Sequence, residues 1–154
     1  MKSVLLMVLI FTSVIIGNPS PCEKANAPIK TENNVTMANG KIKITVNSQI
    51  FTATLLDNTT AKAFKELLPM TIQMNELNGN EKYYDLPKSL PTNSTNPESI
   101  KNGDLMLYGS KTLVLFYKTF PTSYSYTKLG SIDDITGLEK ALGSGNLSIT
   151  FNNN

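Results

Sequence analysis

Residues 103–117 constrain the fold of this chain more than any other segment. Two apolar runs flank Gly109-Ser110, a pair typical of a tight turn. The second run, Leu113–Phe116, is apolar at consecutive positions, so a strand formed there would be buried on both of its faces. The segment therefore predicts a β-hairpin, in which Asp104–Tyr108 pairs with Lys111–Tyr117 in the middle of a core.

Alternating apolar residues predict further strands, because a period of two places one face of a strand against a core. A turn at 47–49 would join the first two strands, and Asn78-Gly79-Asn80 would form another turn. The alternating positions are Ile42, Ile44 and Val46; Phe51, Ala53 and Leu55; Met70, Ile72 and Met74; and Leu147, Ile149 and Phe151. A short strand is also predicted from Lys82 to Leu86.

Two short helices complete the pattern. Asp57 or Asn58 would cap the first, whose apolar stripe is Phe64, Leu67 and Leu68 before Pro69. Asp133 or Asp134 would cap the second, which carries Ile135, Leu138 and Leu142 and ends at Gly143. Residues 87–97 and 120–129 are predicted to be loops. Many short strands with two short helices indicate a mainly β protein, either a β-barrel or a compact α+β domain.

The composition excludes several kinds of chemistry. The chain has no histidine and no tryptophan, and its fourteen basic residues are all lysines. Histidine is the commonest neutral-pH general base and metal ligand, and arginine supplies bidentate clamps for carboxylates and phosphates. We therefore expect no metal and no cofactor. The formal net charge is +2 and the lysines do not form a basic stripe in the sequence, so we expect no nucleic-acid partner.

The N-terminus predicts export. Met1-Lys2-Ser3 precedes an apolar run from Val4 to Ile16, which is too short to span a bilayer and typical of a secretory signal. Residues 1–22 are interpreted as the signal, 23–40 as a polar tether and 41–151 as the domain. Cys22 is the candidate for a lipid anchor, the only membrane contact expected. The preceding Pro19-Ser20-Pro21 is a poor lipobox, so a free or discarded thiol stays open.

A set of segments follows in a fixed order between Lys41 and Phe151: 42–46, 51–55, 57–61 with Phe64 and 67–69, 81–87, 103–109, 123–130, Ile132-Asp133 and Gly137-Leu138. The order of these segments resembles the cyclophilin-like domain of bacterial proteins. The resemblance implies a mainly β protein, a cyclophilin-like β-barrel with two short helices.

Cyclophilins proper are peptidyl-prolyl isomerases, and the resemblance implies a hydrophobic groove with a catalytic arginine supported by glutamine, tryptophan and histidine. The arginine, tryptophan and histidine are absent from this chain. Thr112–Phe116 also lacks the glutamine of the corresponding cyclophilin strand. A lysine could supply charge but not the planar fork of a guanidinium.

These features favour an exported, noncatalytic binding or accessory domain for an unknown peptide or small molecule, with no catalytic residue assigned. Its candidate groove comprises tyrosines, whose rings offer area together with a hydroxyl group: Tyr83, Tyr84, Tyr108, Tyr117, Tyr124 and Tyr126. Each could instead be an ordinary half-buried tyrosine. The alternative function is a prolyl isomerase with a degenerate site.

A third hypothesis is acid–base catalysis by Asp133-Asp134 or Asp85, although the adjacent pair is also typical of a helix cap. The sequence indicates no particular oligomeric state.

Overall fold

The computed structural model describes residues 40–154. The predicted signal at 1–22, Cys22 and all of the predicted tether except Gly40 lie outside the described residues. Within the described part the strands are β1 Lys41–Val46, β2 Gln49–Leu55, β3 Met70–Leu77, β4 Glu81–Asp85, β5 Ser99–Ile100, β6 Asp104–Tyr108, β7 Thr112–Phe116, β8 Phe120–Pro121, β9 Thr127–Ile132 and β10 Leu147–Asn153. The helices are α1 Thr59–Lys65 and α2 Leu138–Leu142.

Eight of these strands form a closed antiparallel barrel in the order β1-β10-β3-β4-β7-β6-β9-β2. The predicted β-barrel with two short helices is confirmed. Side chains that alternate along the strands fill the interior, as Ile42, Ile44 and Val46 do on β1. The remaining two strands, β5 and β8, pair with each other outside the barrel.

The predicted hairpin is formed by β6 and β7, and β7 is buried on both faces. Leu113 and Leu115 point into the barrel core. Val114 and Phe116 point outwards into a second apolar cluster, which also contains Ile100, Met106 and Tyr126 and is packed by Phe120. The consecutive apolar residues of β7 therefore serve two separate cores.

The helices cover opposite ends of the barrel. Helix α1 follows the end of β2 and buries Phe64, whose ring meets that of Phe151 edge-on at 5.9 Å. Asn58 caps it by accepting a hydrogen bond from the Ala61 amide at 2.7 Å, as predicted. Helix α2 lies at the other end, where its Ala141 carbonyl accepts a hydrogen bond from Asn47 in the β1–β2 turn.

Two predictions about the second half of the chain are wrong. Residues 120–129 are not one loop, because β8 and the start of β9 lie within them. Helix α2 begins after Gly137 rather than at Asp133 or Asp134, and Ile135 is exposed. The side chain of Asp133 is instead drawn to Lys41 and Thr54, which leaves it no role as a cap.

Candidate functional site

A groove of about 530 Å³ lies on the outer surface of the barrel wall formed by β4, β7 and β6. Successive residues of a strand point to opposite faces, so Glu81, Tyr83 and Asp85 of β4 face the groove while Lys82 and Tyr84 face the core. The segment 120–124, which begins with β8, forms the other wall. We call this feature the tyrosine groove; it is lined by Leu77, Asn78, Asn80, Glu81, Tyr83, Asp85, Tyr108, Thr112, Val114, Phe120, Pro121, Thr122, Ser123, Tyr124 and Tyr126.

Aromatic rings run in contact from the solvent to the outer apolar cluster. Tyr124 meets Tyr108 edge-on at 6.2 Å between centroids, and Tyr108 meets Tyr126 at 5.6 Å. Tyr126 then contacts Phe116 at 5.5 Å. Tyr124 is 61% and Tyr108 47% exposed, whereas Tyr126 is only 8% exposed. The inner rings therefore anchor the outer two, which present their surface to the groove.

The charges in the tyrosine groove come from two carboxylates. Burial raises the pKa of Glu81, and the nearby charge of Glu76 raises it further. Asp85 is exposed and accepts a hydrogen bond from the Thr112 hydroxyl at 2.6 Å. Burial likewise raises the pKa of Tyr126, with the charge of Glu81 contributing. The groove is thus aromatic along its length and negative on the β4 side.

The structure brings together four of the six tyrosines proposed from sequence: Tyr83, Tyr108, Tyr124 and Tyr126. Tyr84 packs against the barrel core from the opposite face of β4. Tyr117 is buried at the end of the barrel and lines a different hollow of about 800 Å³.

That second hollow borders a buried cluster of charged and polar groups around Lys82. Its ammonium is fully buried, pairs with Glu76 and donates hydrogen bonds to the carbonyls of Gly143 at 3.1 Å and Gly145 at 2.6 Å. The Tyr117 hydroxyl donates to the other oxygen of Glu76 at 2.7 Å, and Lys82 lies 5.4 Å from the Tyr117 ring centroid.

The cluster is electrostatically satisfied. Burial opposes ionisation of Glu76, but hydrogen bonds from Lys82 and Tyr117 outweigh it and lower the pKa of that carboxyl. Burial, together with the hydrogen bond to Glu76, raises the pKa of Tyr117 above its ordinary value. Because every donor of Lys82 has an acceptor, the arrangement locks the α2–β10 connection to β3 and β4, which is a structural role.

Residues 44–152 match the model of the Cyclophilin-like family, which is most of the chain. The chain belongs to this family. It is also similar to the solution structure of a hypothetical protein from Archaeoglobus fulgidus, with a TM-score of 0.58 and 18% sequence identity over 76% of this chain and 96% of that one. At that identity the likeness concerns the fold alone. No curated protein matches the sequence.

The other carboxylates proposed from sequence do not form an acid–base pair. Asp133 binds the Lys41 ammonium at 2.8 Å and the Thr54 hydroxyl at 2.6 Å, and these hydrogen bonds lower its pKa. Asp134 accepts from the Thr136 amide at 2.9 Å, which lowers its pKa as well. The two neighbours therefore hold separate partners in this member of the family.

The described residues, 40–154, contain no group of three or more cysteine, aspartate or glutamate side chains placed to hold a metal ion. In the same range, no helix has the length and apolar character needed to cross a bilayer.

Sequence reasoning missed Glu81 and Leu77 as groove residues. Two features indicate them. Alternate residues of a strand share a face, so Glu81 lies on the same face of β4 as Tyr83, and Leu77 pairs with Glu81 across the turn at 78–80.

Proposed function

We propose that this cyclophilin-like chain is a noncatalytic binding domain whose ligand, a peptide or small molecule, occupies the tyrosine groove. The observation that carries the proposal is where the apolar surface lies. Six large apolar side chains of the described residues are strongly exposed, and three of them, Leu77, Tyr108 and Tyr124, line this one groove. Exposed apolar side chains gathered in a concave surface are typical of a recognition site.

The groove also has the size and chemistry of a ligand site. Its volume of about 530 Å³ lies within the range common for ligand pockets. Tyrosine side chains carry hydroxyl groups beside apolar rings, so a ligand can be both covered and oriented. A rigid barrel wall forms one side, which keeps these groups in place before the ligand arrives.

The binding site is tested by selecting a phage-displayed hexapeptide library on the full chain. Enriched peptides are expected to lose tenfold or more in affinity for the double variant Tyr108→Ala/Tyr124→Ala, since each buried aromatic contact contributes about 1 kcal/mol or more. Ile50→Ala is the matched control, because Ile50 is 65% exposed and lies outside the groove. Enriched peptides that bind the double variant as well as the wild type would overturn the proposal, as would a library without enrichment.

The domain is expected to lack prolyl isomerase activity. The resemblance to cyclophilins implies an arginine that polarises the prolyl amide, and this chain has no arginine. The barrier to be lowered is about 20 kcal/mol, and the charged lining residues of the tyrosine groove are carboxylates, which cannot stabilise negative charge on the amide oxygen. In a protease-coupled assay with a proline peptide, we expect the uncatalysed rate. A rate that rises in proportion to protein concentration would contradict this.

Export is also part of the proposal, and it rests on the signal-like sequence 1–22. Fractionation of cells that produce the full chain should recover it outside the cytoplasm without its apolar leader, as mass spectrometry of the product can establish. The variant Cys22→Ser distinguishes a lipid-anchored product from a free one. Loss of membrane association in the variant would indicate a lipid anchor, and recovery of both wild type and variant away from the membrane would indicate a free product. A cytoplasmic product that keeps Met1–Ile16 would overturn export.

A further inference from the structure

The tyrosine groove carries charge of one sign only. Glu81 and Asp85 line it, and no lysine is among its lining residues in the part of the chain that the structure describes. The chain also has no arginine or histidine. An anionic ligand would therefore meet repulsion without any compensating cation, whereas a cationic ligand would meet a complementary surface.

Glu81 is a groove carboxylate without a counter-charge among the described residues. It is half-buried, and neither a hydrogen bond nor an ion pair to its carboxylate is found within residues 40–154. Its neighbour Glu76, by contrast, accepts hydrogen bonds from Lys82, Tyr117 and the Gly79 amide. Partial burial of an unpaired charge costs free energy, and a cation from a ligand would offset that cost.

The aromatic side of the groove favours the same ligand charge. Tyr108 and Tyr124 are exposed and nearly perpendicular to each other, at 86°. A tyrosine ring attracts an ammonium group over its face within about 6 Å. Leu77, exposed and paired with Glu81 across β3 and β4, offers an apolar contact next to the carboxylate. A lysine side chain laid along Leu77 would bring its ammonium to Glu81. The rings of Tyr108 and Tyr124 lie towards the other end of β4, where Tyr108 pairs with Thr112 and Thr112 with Asp85, and they would cover a neighbouring part of the same ligand.

The length of the groove indicates a peptide rather than a free amine. Glu81 and Asp85 are four residues apart on β4, which places them about 13 Å apart along the strand. An extended segment of about four residues covers the same distance. We propose that the tyrosine groove binds an extended peptide through a lysine side chain whose ammonium pairs with Glu81. This inference rests on the binding function proposed above.

The test uses three blocked pentapeptides that differ only at the central residue, which is lysine, norleucine or glutamate. Each is titrated into the ¹⁵N-labelled full chain, and affinity and site are read from amide shifts. We expect shifts at residues 81–85 and 120–126, with the lysine peptide binding about tenfold more tightly than the norleucine peptide, because a hydrogen bond to a charged group is worth more than 1 kcal/mol. The glutamate peptide should bind most weakly.

Two variants make the assignment specific. Glu81→Gln should bring the lysine peptide to the affinity of the norleucine peptide and leave the norleucine peptide unchanged. Glu66→Gln removes an exposed carboxylate beyond the end of α1 and should change neither.

Each contrary outcome overturns a different part. If lysine and norleucine peptides bind the groove equally, or if Glu81→Gln has no effect, the cation inference falls and the binding function stands. If butylammonium alone binds as tightly as the lysine peptide, the peptide part falls. If the three peptides leave the groove unperturbed while peptides selected from the library bind there, the lysine inference falls. If none of these peptides perturbs the groove, both proposals fall.

Discussion

Replacing Lys82 with alanine is expected to lower the free energy of unfolding by about 3 kcal/mol, because it takes the cation away from the partly buried Glu76 and leaves buried main-chain carbonyls without a donor. The ammonium is fully buried and holds Glu76 together with the carbonyls of Gly143 and Gly145. Its removal would leave three acceptors at the barrel end without their donor. Urea unfolding followed by circular dichroism measures the change.

A double variant distinguishes the charge from the packing. Lys82→Met keeps most of the side-chain volume but leaves Glu76 without its cation. Lys82→Met/Glu76→Gln removes both charges and should recover more than half of the lost stability. Lys118→Ala is the control, because Lys118 pairs with Glu139 at 3.4 Å on the surface and such pairs contribute about 0.5 kcal/mol. A Lys82→Ala chain as stable as the Lys118→Ala chain would show that the buried pair does not hold the fold.

Substitution of Gly130 by alanine is expected to destabilise the domain by about 3 kcal/mol, as overpacking does where neighbouring backbone must move. A Cβ there would lie 2.3 Å from the Thr54 carbonyl oxygen and 2.9 Å from the Leu55 Cα. Both atoms are main chain in β2, the strand with which β9 pairs across the barrel closure. Thermal unfolding and amide exchange in β2 and β9 would record the loss.

Gly109→Ala provides the comparison for this effect. Gly109 has a φ of +56° and open space where a Cβ would stand, so its substitution carries a conformational cost of about 1 kcal/mol without a clash. We expect the Gly130 variant to lose clearly more stability, with exchange accelerated at the β2–β9 seam. Equal losses of stability in the two variants would mean that the backbone of β2 can move away at little cost, and that β9 need not lie so close to it.

The hairpin of β6 and β7 could be predicted because its signal is local. Gly109-Ser110 marks the turn, and apolar residues on both faces of β7 indicate burial on both sides. The sequence does not show why both faces are buried. The outer face is buried because β5 and β8 cover Val114 and Phe116 from outside, and each of these two strands has only two residues. Strands so short have no periodicity that a sequence pattern can reveal.

Strand β9 was missed because its pattern is broken where the barrel closes. Gly130 and Ser131 interrupt the alternation that Thr127 and Leu129 begin, and glycine commonly indicates a loop. The barrel needs glycine at that position since β2 passes too close for a side chain. The feature that concealed the strand is thus the one that lets it close the barrel.

Residue type alone groups the six tyrosines, whereas the structure separates them according to the face of the strand on which each side chain lies. Tyr83 and Tyr84 are adjacent on β4, so only one of them can face the groove. Lys82 was unexpected inside the barrel for a similar reason: lysine is rarely buried, and its acceptors at Gly143 and Gly145 are distant in sequence. Such long-range pairing leaves no local signal.

Closure of the barrel limits how any partner could be recognised. Each of its eight strands has a neighbour on both sides, so a visiting chain cannot extend the barrel by adding a strand. The outer β5–β8 pair has only two residues in each strand, and Pro121 has no amide hydrogen to offer, so it gives an added strand little to pair with. An extended partner therefore gains little from main-chain pairing and must be selected by its side chains. A domain of this design would discriminate between ligand sequences rather than accept any exposed strand.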